Sequence, residues 1–194
     1  PRKSAGFQAP EYGTFVHYVL EHVFRETAAP GRELVKRVVD QYVREELGGL
    51  EGESPRFRYL FRRLEKGVRA VVENVVAELR SSDFQPLWFE LGFGYGPDKA
   101  LPPVNRTSHG ITLSISGFVD RVDGWVHEGK LYLRVVDYKT GKKKFSLSDV
   151  WYGMGLQMLL YLFTLQARGA ERYGMEIVPA GVMYVPARNA LLQM

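Results

Sequence analysis

Residues 116–139 read Ser116-Gly-Phe-Val-Asp-Arg-Val-Asp-Gly-Trp-Val-His-Glu-Gly-Lys-Leu-Tyr-Leu-Arg-Val-Val-Asp-Tyr-Lys139. Two runs rich in valine, leucine and aromatic residues lie on either side of a polar turn, a pattern typical of a β-hairpin. Glu128-Gly129 suits a two-residue turn, because glycine adopts the positive φ that such turns require. With those two residues as the turn, the residue numbers of each directly opposed pair sum to 257.

The register gives two favourable pairs and one unfavourable pair. The favourable ones join opposite charges and two aromatic rings: Asp123–Arg134 and Trp125–Tyr132. The unfavourable one opposes Asp120 to Asp137, and like charges in directly opposed positions destabilise a sheet. Two carboxylates so close need a shared proton, a cation or a bound metal. We therefore take Asp120 and Asp137 as candidate catalytic residues.

Strand alternation adds Lys139 to this pair, because it follows Asp137 by two residues and so shares its face. The same alternation places three apolar residues on that face: Val122, Leu133 and Val135. Two carboxylates and one ammonium fit metal-assisted hydrolysis of a phosphodiester, in which the lysine positions or deprotonates the attacking water. The alternative is a hairpin whose surface charges are opposed by coincidence. A one-residue slip or a bulge would break the argument.

Hydrophobic periodicity predicts helices before this hairpin and a mixture of strands and helix around it. The predicted helices begin near Gly13 and cover 32–47, 57–80 and 150–167. The predicted strands are 86–94, 111–123, 130–138 and 177–185, with a loop at 96–108 and a basic connection at 141–149. This order predicts a single α/β domain with a mixed sheet, in which a helical region of about 13–80 precedes a sheet core of about 86–185.

Composition limits the chemistry. The chain of 194 residues has no cysteine, which excludes disulfides and thiolate metal sites within it. A metal would be held by Asp, Glu, His or backbone oxygens, a set that favours Mg²⁺ or Mn²⁺. The net charge of +4 is compatible with a polyanionic partner. No apolar run of about 18 residues and no signal-peptide pattern is present, so we expect a cytoplasmic protein without a membrane span.

Four motifs carry a resemblance to a known family. Gly117-Phe-Val-Asp120, followed by Val135-Val-Asp-Tyr-Lys139, resembles the signature of PD-(D/E)XK nucleases in its RecB-family form. Gln157-Met-Leu-Leu-Tyr161 is similar to the Gln-x-x-x-Tyr motif of that family, and Gly13-Thr-Phe-Val-His17 resembles its upstream histidine motif. The segment Phe89–Gly94 and the extension Asp120-Arg-Val-Asp123 most resemble the AddB-type subunit of bacterial helicase–nucleases.

The resemblance implies a fold and a set of roles. The fold would be a restriction-endonuclease-like mixed sheet flanked by helices. The metal, Mg²⁺ with Mn²⁺ able to substitute, would be held by His17, Asp120, Asp137 and the backbone carbonyl of Tyr138. Lys139 would be catalytic. Gln157 and Tyr161 would lie beside the site and contact DNA; their spacing of four places both on one helix face.

The AddB-type resemblance also implies partners and a larger assembly. Such a subunit would degrade DNA unwound by an AddA-like helicase–nuclease partner, in double-strand break repair by recombination. Full-length AddB-type subunits resemble iron–sulfur proteins, whereas this chain has no cysteine. We therefore expect the chain to be a fragment of a larger subunit, with a cluster-free protein as the alternative.

Three further predictions have a plain structural alternative. Glu90 is either a supporting acid of the site or an exposed residue near a strand end. His17 by itself would be an ordinary histidine of a helix core, and the motif makes it a metal ligand. The run Lys142-Lys143-Lys144 is either a solvated loop or a contact to the DNA backbone.

Two other functions fit the same residues. One is a catalytically silent DNA-binding module that keeps the nuclease fold, although no motif residue is missing from this chain. The other is a stand-alone RecB-like endonuclease. The Asp-Arg-Val-Asp extension and the motif that contains Glu90 favour the AddB-type interpretation.

Overall fold

The computed structural model describes residues 9–94, 101–140 and 156–187. The chain divides into two compact units, one comprising residues 1–82, 138–142 and 185–194 and the other comprising residues 83–137 and 143–184. The first is helical and the second contains the sheet. The division falls inside a strand, between Asp137 and Tyr138, so consecutive residues of one strand belong to different units.

Three helices form the first unit: α1 (Ala9–Glu26), α2 (Arg32–Glu45) and α3 (Pro55–Arg80). They pack through Phe15, whose ring lies 5.0 Å from that of Tyr42 on α2 and 5.4 Å from that of Phe61 on α3. The predicted apolar positions of α1 are buried: Val16, Val19, Leu20, Val23 and Phe24. Helix α3 begins at a clear signal, because the Ser54 side chain accepts a hydrogen bond from the backbone N–H of Phe57 and Pro55 occupies the first turn.

The second unit contains six strands and a helix. The strands are β1 (Gln85–Phe93), β2 (Val104–Ser108), β3 (Ile111–Ile115), β4 (Gly117–His127), β5 (Lys130–Lys139) and β6 (Glu176–Pro186), and the helix is α4 (Leu156–Tyr173). The main sheet has the order β1-β4-β5-β6, while β2 and β3 pair separately. Strand β4 is therefore a central strand with β1 and β5 as antiparallel neighbours.

Helix α4 packs on the sheet and closes its core. The buried residues come from four strands and the helix: Leu91, Phe93, Val119, Val122, Leu131, Leu133, Val135, Met158, Tyr161, Leu162, Leu165 and Ile177. Gly169 lets α4 approach the sheet closely, because a Cβ there would lie 2.7 Å from Ile177 Cγ1. The three predicted apolar residues Val122, Leu133 and Val135 lie together in this core, as expected.

Two predictions about secondary structure are wrong, and a third changes in extent. The predicted loop at 96–108 contains strand β2, which pairs with β3 through a two-residue turn at His109-Gly110 with φ values of +50° and +78°. The predicted strand 111–123 is two strands, β3 and β4, separated at Ser116. Helix α4 extends to Tyr173, beyond the predicted end at 167, and the predicted residues 150–155 lie outside the described residues.

Among the described residues, no helix combines the length and apolarity that crossing a bilayer requires.

Candidate active site

The β4–β5 hairpin has the predicted register. Its pairs run from His127 opposite Lys130 to Arg121 opposite Val136, and every pair sums to 257. The turn residues Glu128 and Gly129 have φ values of +48° and +74°, as a type I′ turn requires. One further step of the same register opposes Asp120 to Asp137. In a hairpin with a two-residue turn that step is a non-hydrogen-bonded pair, the kind in which Cα atoms lie about 4.5 Å apart.

Strand β1 brings a third carboxylate to the same level. Phe89 pairs with Arg121 and Leu91 pairs with Val119, so Glu90 lies opposite Asp120. A carboxylate oxygen of Glu90 lies within 4.8 Å of one of Asp120, and both residues are partly buried. Glu90 has a φ of +49°, a left-handed conformation that is uncommon for glutamate and marks a local distortion of the strand. The structure thus brings Glu90 to Asp120, the first of its two sequence interpretations.

Strict alternation of faces is interrupted at this level of the sheet. Val119 and Val122 belong to the same buried core, although residues three apart in a regular strand point to opposite faces. On β1, Leu91 lies in that core and Trp88 packs against it, so the neighbouring strand shows the same change. Both strands therefore change face beside Glu90 and Asp120. The simple face argument from the sequence does not foresee this.

Helix α4 approaches the start of β4 through Gln157 and Tyr161. Gln157 donates a hydrogen bond from Nε2 to the hydroxyl of Tyr161, and both side chains lie against the backbone of Gly117. A Cβ at Gly117 would overlap the Tyr161 hydroxyl and come within 2.9 Å of Gln157 Nε2, which explains why glycine stands three residues before Asp120. Tyr161 is fully buried and stacks on Phe93 at 4.2 Å, whereas Gln157 is exposed. Of this pair, Gln157 is the side chain open to solvent.

The helical unit holds another pair of predicted ligands. His17 lies on α1, and its Nε2 is 3.2 Å from the backbone carbonyl oxygen of Tyr138. The two rings meet edge to face at 5.9 Å. Because Tyr138 directly follows Asp137 on β5, the predicted carbonyl ligand is one peptide away from a predicted carboxylate ligand.

The helix that carries His17 is fixed by packing around the next residue. Tyr18 donates a hydrogen bond to Glu45 Oε2 at 3.1 Å, and its ring stacks on that of His22 at 3.9 Å. Burial, and then the hydrogen bond and negative charge of Glu45, raise the pKa of Tyr18 to about 12. The phenol therefore stays protonated and keeps its donor role at any ordinary pH.

The available donors fit a hard divalent cation. Two ligands at right angles, each about 2.1 Å from Mg²⁺, are about 3.0 Å apart, close to the 3.2 Å between His17 Nε2 and the Tyr138 carbonyl oxygen. The carboxylates of Glu90 and Asp120 supply the oxygen donors that Mg²⁺ and Mn²⁺ prefer. An iron–sulfur cluster does not fit this chain, since it has no cysteine to supply a thiolate.

The remaining predicted residues lie at the edge of the site or outside the described part of the chain. Lys139 is exposed at the end of β5, where its backbone carbonyl accepts a hydrogen bond from the N–H of Ala187 at 3.0 Å. The basic run Lys142-Lys143-Lys144 lies outside the described residues. The residue that sequence reasoning missed is Arg121, which has no exposed surface and contacts Asp123. Its signal is the charge two residues away on the same strand.

Comparison with known proteins agrees with the four motifs. A family model of the PD-(D/E)XK nuclease superfamily matches residues 1–193. A protein of Clostridium novyi (strain NT), named as the B-type component of an ATP-dependent helicase/deoxyribonuclease, is 32% identical over 204 residues, which cover 99% of this chain and 18% of the relative. A protein of the same name from Acetivibrio thermocellus is 34% identical over 203 residues, again 99% of this chain and 18% of the relative.

The chain therefore spans less than one fifth of the length of these relatives. The predicted resemblance to AddB-type subunits and the predicted α/β fold of the restriction-endonuclease kind, with its mixed four-stranded sheet, are both confirmed. The chain belongs to the PD-(D/E)XK nuclease superfamily.

Proposed function

We propose that this chain is the metal-dependent deoxyribonuclease domain of an AddB-like helicase–nuclease subunit, with its two units acting as one nuclease domain. The observation that carries the proposal is the level of the sheet at which Glu90 lies opposite Asp120, with Asp137 one step along the established register of β5. Carboxylates so close together repel one another unless a cation is held between them. A chemical role explains why they stand on three adjacent strands.

The metal ligands are His17, Asp120, Asp137 and the backbone carbonyl of Tyr138, and Glu90 acts as a supporting acid. A divalent ion bound there, Mg²⁺ or Mn²⁺, polarises the scissile phosphate and lowers the pKa of a bound water. The 3.2 Å separation of His17 Nε2 from the Tyr138 carbonyl supports their sharing one ion. In the metal-free protein, the same Nε2 donates its proton to that carbonyl.

Two other side chains handle the substrate. The Nζ of Lys139 donates hydrogen bonds to a phosphate oxygen or orients the attacking water, and its position on β5 two residues after Asp137 supports this role. Gln157 contacts the DNA strand from the first turn of α4, where its side chain is exposed. Tyr161 is buried and holds the Gln157 amide through its hydroxyl. The run Lys142-Lys143-Lys144 contacts the DNA backbone.

The biological setting rests on the relatives. Their name couples a helicase to a deoxyribonuclease, which supports a role in degrading DNA unwound by an AddA-like partner. We place that activity in double-strand break repair by recombination. The net charge of +4 and the basic residues of the chain are compatible with a polyanionic substrate.

The test is digestion of end-labelled single-stranded DNA in Mg²⁺ by the wild type and by Asp137→Ala and Lys139→Ala variants. Metal stabilisation of a transition state is worth several kcal/mol, and each 1.36 kcal/mol is tenfold in rate, so Asp137→Ala should lose on the order of a thousandfold or more. Lys139→Ala should also be strongly impaired. EDTA should abolish cleavage by the wild type.

The matched control is Lys130→Ala, which removes a lysine from the opposite end of the same strand. It should cleave at the wild-type rate. Equal activity of the wild type, Asp137→Ala and Lys139→Ala would reject the mechanism. A wild type that binds single-stranded DNA but cleaves none in Mg²⁺ or Mn²⁺ would favour the silent DNA-binding module.

A further inference from the structure

The face of β4 and β5 opposite the core carries a buried ionic cluster made of Arg121, Asp123 and Arg134. Arg121 and Asp123 have no exposed surface, and the Arg134 side chain is 14% exposed. Asp123 Oδ2 accepts hydrogen bonds from Arg121 Nη2 at 2.9 Å and from Arg134 Nε at 2.8 Å. Arg121 Nε also lies 2.7 Å from Asp123 Oδ1, although not in the direction of a hydrogen bond.

Burying such charges is a poor way to gain stability. Removing ions from water costs several kcal/mol each, and well-packed apolar residues of similar volume are often as stable or more stable. Buried ionic groups are instead known to select one arrangement among several, because the alternatives leave a buried charge without its partner. The question is then which arrangement this cluster selects.

The cluster permits only one register of β5 against β4. In the native register Asp123 lies opposite Arg134. A slip by one residue would oppose it to Leu133 or Val135, and a slip by two would oppose it to Tyr132 or Val136. Each slip takes the buried carboxylate away from its cross-strand cation, and a one-residue slip also moves every side chain of β5 to the other face.

The cluster also lies beside the point at which β4 changes face. Arg121 is the direct neighbour of Asp120, and its side chain is tied to Asp123 two residues along the strand. The turn at Glu128-Gly129 fixes the register at the far end of the hairpin, eight residues from Asp120. The ionic cluster is the constraint that acts next to the carboxylates.

We propose that Arg121, Asp123 and Arg134 are positioning residues, which hold Asp120 in the register and orientation that place it opposite Asp137 and beside Glu90. This inference rests on the proposed metal site, because positioning has a purpose only if the carboxylates bind an ion together. The three residues touch neither the metal nor the DNA. They act through the backbone of β4.

The test replaces the cluster by apolar residues of similar size, in the triple variant Arg121→Met, Asp123→Leu, Arg134→Met of the 194-residue chain. We expect an unfolding free energy equal to or above that of the wild type in urea with EDTA. We also expect Mn²⁺ to bind 10- to 100-fold more weakly by calorimetry, the range typical for residues that orient metal ligands. Stability and metal affinity thus move separately, which a merely structural cluster does not produce.

A second readout needs no metal. Val122 and Val135 are an opposed non-hydrogen-bonded pair, so their Hα atoms should give a strong cross-strand nuclear Overhauser effect in the wild type. In the triple variant that signal should weaken or split into several. A folded triple variant with the wild-type signal and the wild-type Mn²⁺ affinity would overturn the proposal.

Single substitutions keep the proposal testable if the triple variant does not fold. Arg134→Met should weaken Mn²⁺ binding, and Arg134→Lys, which keeps a cation opposite Asp123, should restore most of it. Equal, wild-type affinity in both would overturn the proposal. The control is Lys130→Met with Glu176→Gln, which removes an exposed ion pair of 3.1 Å from the same hairpin and should change neither readout. A wild type that binds no Mn²⁺ would reject the proposed function itself, while the valine signal still tests the register.

Discussion

The two ends of the β4–β5 hairpin pair their side chains in opposite ways. Toward the turn, each cross-strand pair attracts: Asp123 binds Arg134 at 2.8 Å, and the ring of Trp125 lies 5.1 Å from that of Tyr132. At the other end, the same register opposes Asp120 to Asp137, with Glu90 beside them on β1. Opposite charges or aromatic rings in such positions stabilise a sheet, and like charges destabilise it.

The difference separates residues that maintain the fold from residues that the fold holds in place. The turn end determines the register through local chemistry and favourable pairs. The carboxylate end adds nothing to that register and is held by it. Substitutions at the two ends should therefore have opposite signatures: less repulsion and lost metal binding at one end, lower stability and preserved metal binding at the other.

The largest effect is expected for Asp120→Asn. A ligand present at 100 times its dissociation constant stabilises a protein by about 2.7 kcal/mol, and the wild type should gain this in Mn²⁺ whereas the variant should gain almost nothing. In EDTA the variant should be more stable than the wild type by about 0.5–1 kcal/mol, because one of three neighbouring negative charges is removed. Urea denaturation with and without Mn²⁺ measures both.

A Glu128→Gln variant provides the control, since Glu128 is an exposed carboxylate at the turn of the same hairpin. Its gain from Mn²⁺ should equal that of the wild type. An Asp120→Asn protein that still gains the full increment would show that Asp120 is not a metal ligand.

At the turn end, Trp125→Ala should lower the unfolding free energy by about 1–3 kcal/mol. The indole ring contacts the rings of Tyr132, Phe84 and His127 at 5.1, 6.0 and 4.6 Å, and each aromatic pair contributes about 0.5–1.5 kcal/mol. The gain from Mn²⁺ should remain that of the wild type. A variant that loses both stability and the metal-dependent gain would break the comparison, because it would show that the two ends are coupled.

The hairpin could be predicted from the sequence because its determinants are local. Glu128-Gly129 specifies a two-residue turn, and the attractive pairs on either side of it agree with the register that this turn imposes. The second hairpin, β2–β3, has a comparable turn at His109-Gly110. It was missed because three prolines between residues 96 and 108 are typical of a loop, and because His-Gly is a weaker turn signal than Asn-Gly or Asp-Gly.

The candidate site was predictable only in part. The contact of His17 with the Tyr138 carbonyl joins residues 121 positions apart, which no spacing rule connects, so the pairing came from resemblance alone. The burial of Arg121 was not foreseen, because arginine is seldom fully buried and alternation in this segment reads as a polar face. The change of face beside Asp120 depends on the neighbouring strand β1 and has no signature within β4 itself.

The smallest effect is expected at the turn residue that fits its conformation least well. Glu128 has a φ of +48°, and asparagine and glycine adopt this left-handed region more readily than glutamate. Glu128→Asn should therefore raise the unfolding free energy by about 0.5 kcal/mol, measured as a higher urea midpoint with an unchanged slope. Glu128→Gln is the matched control, since both variants lose the exposed contact of 3.8 Å between Glu128 and His127 and only asparagine favours the turn. Equal stability of the two variants would mean that the strand pairs, and not the turn, set the register of the hairpin.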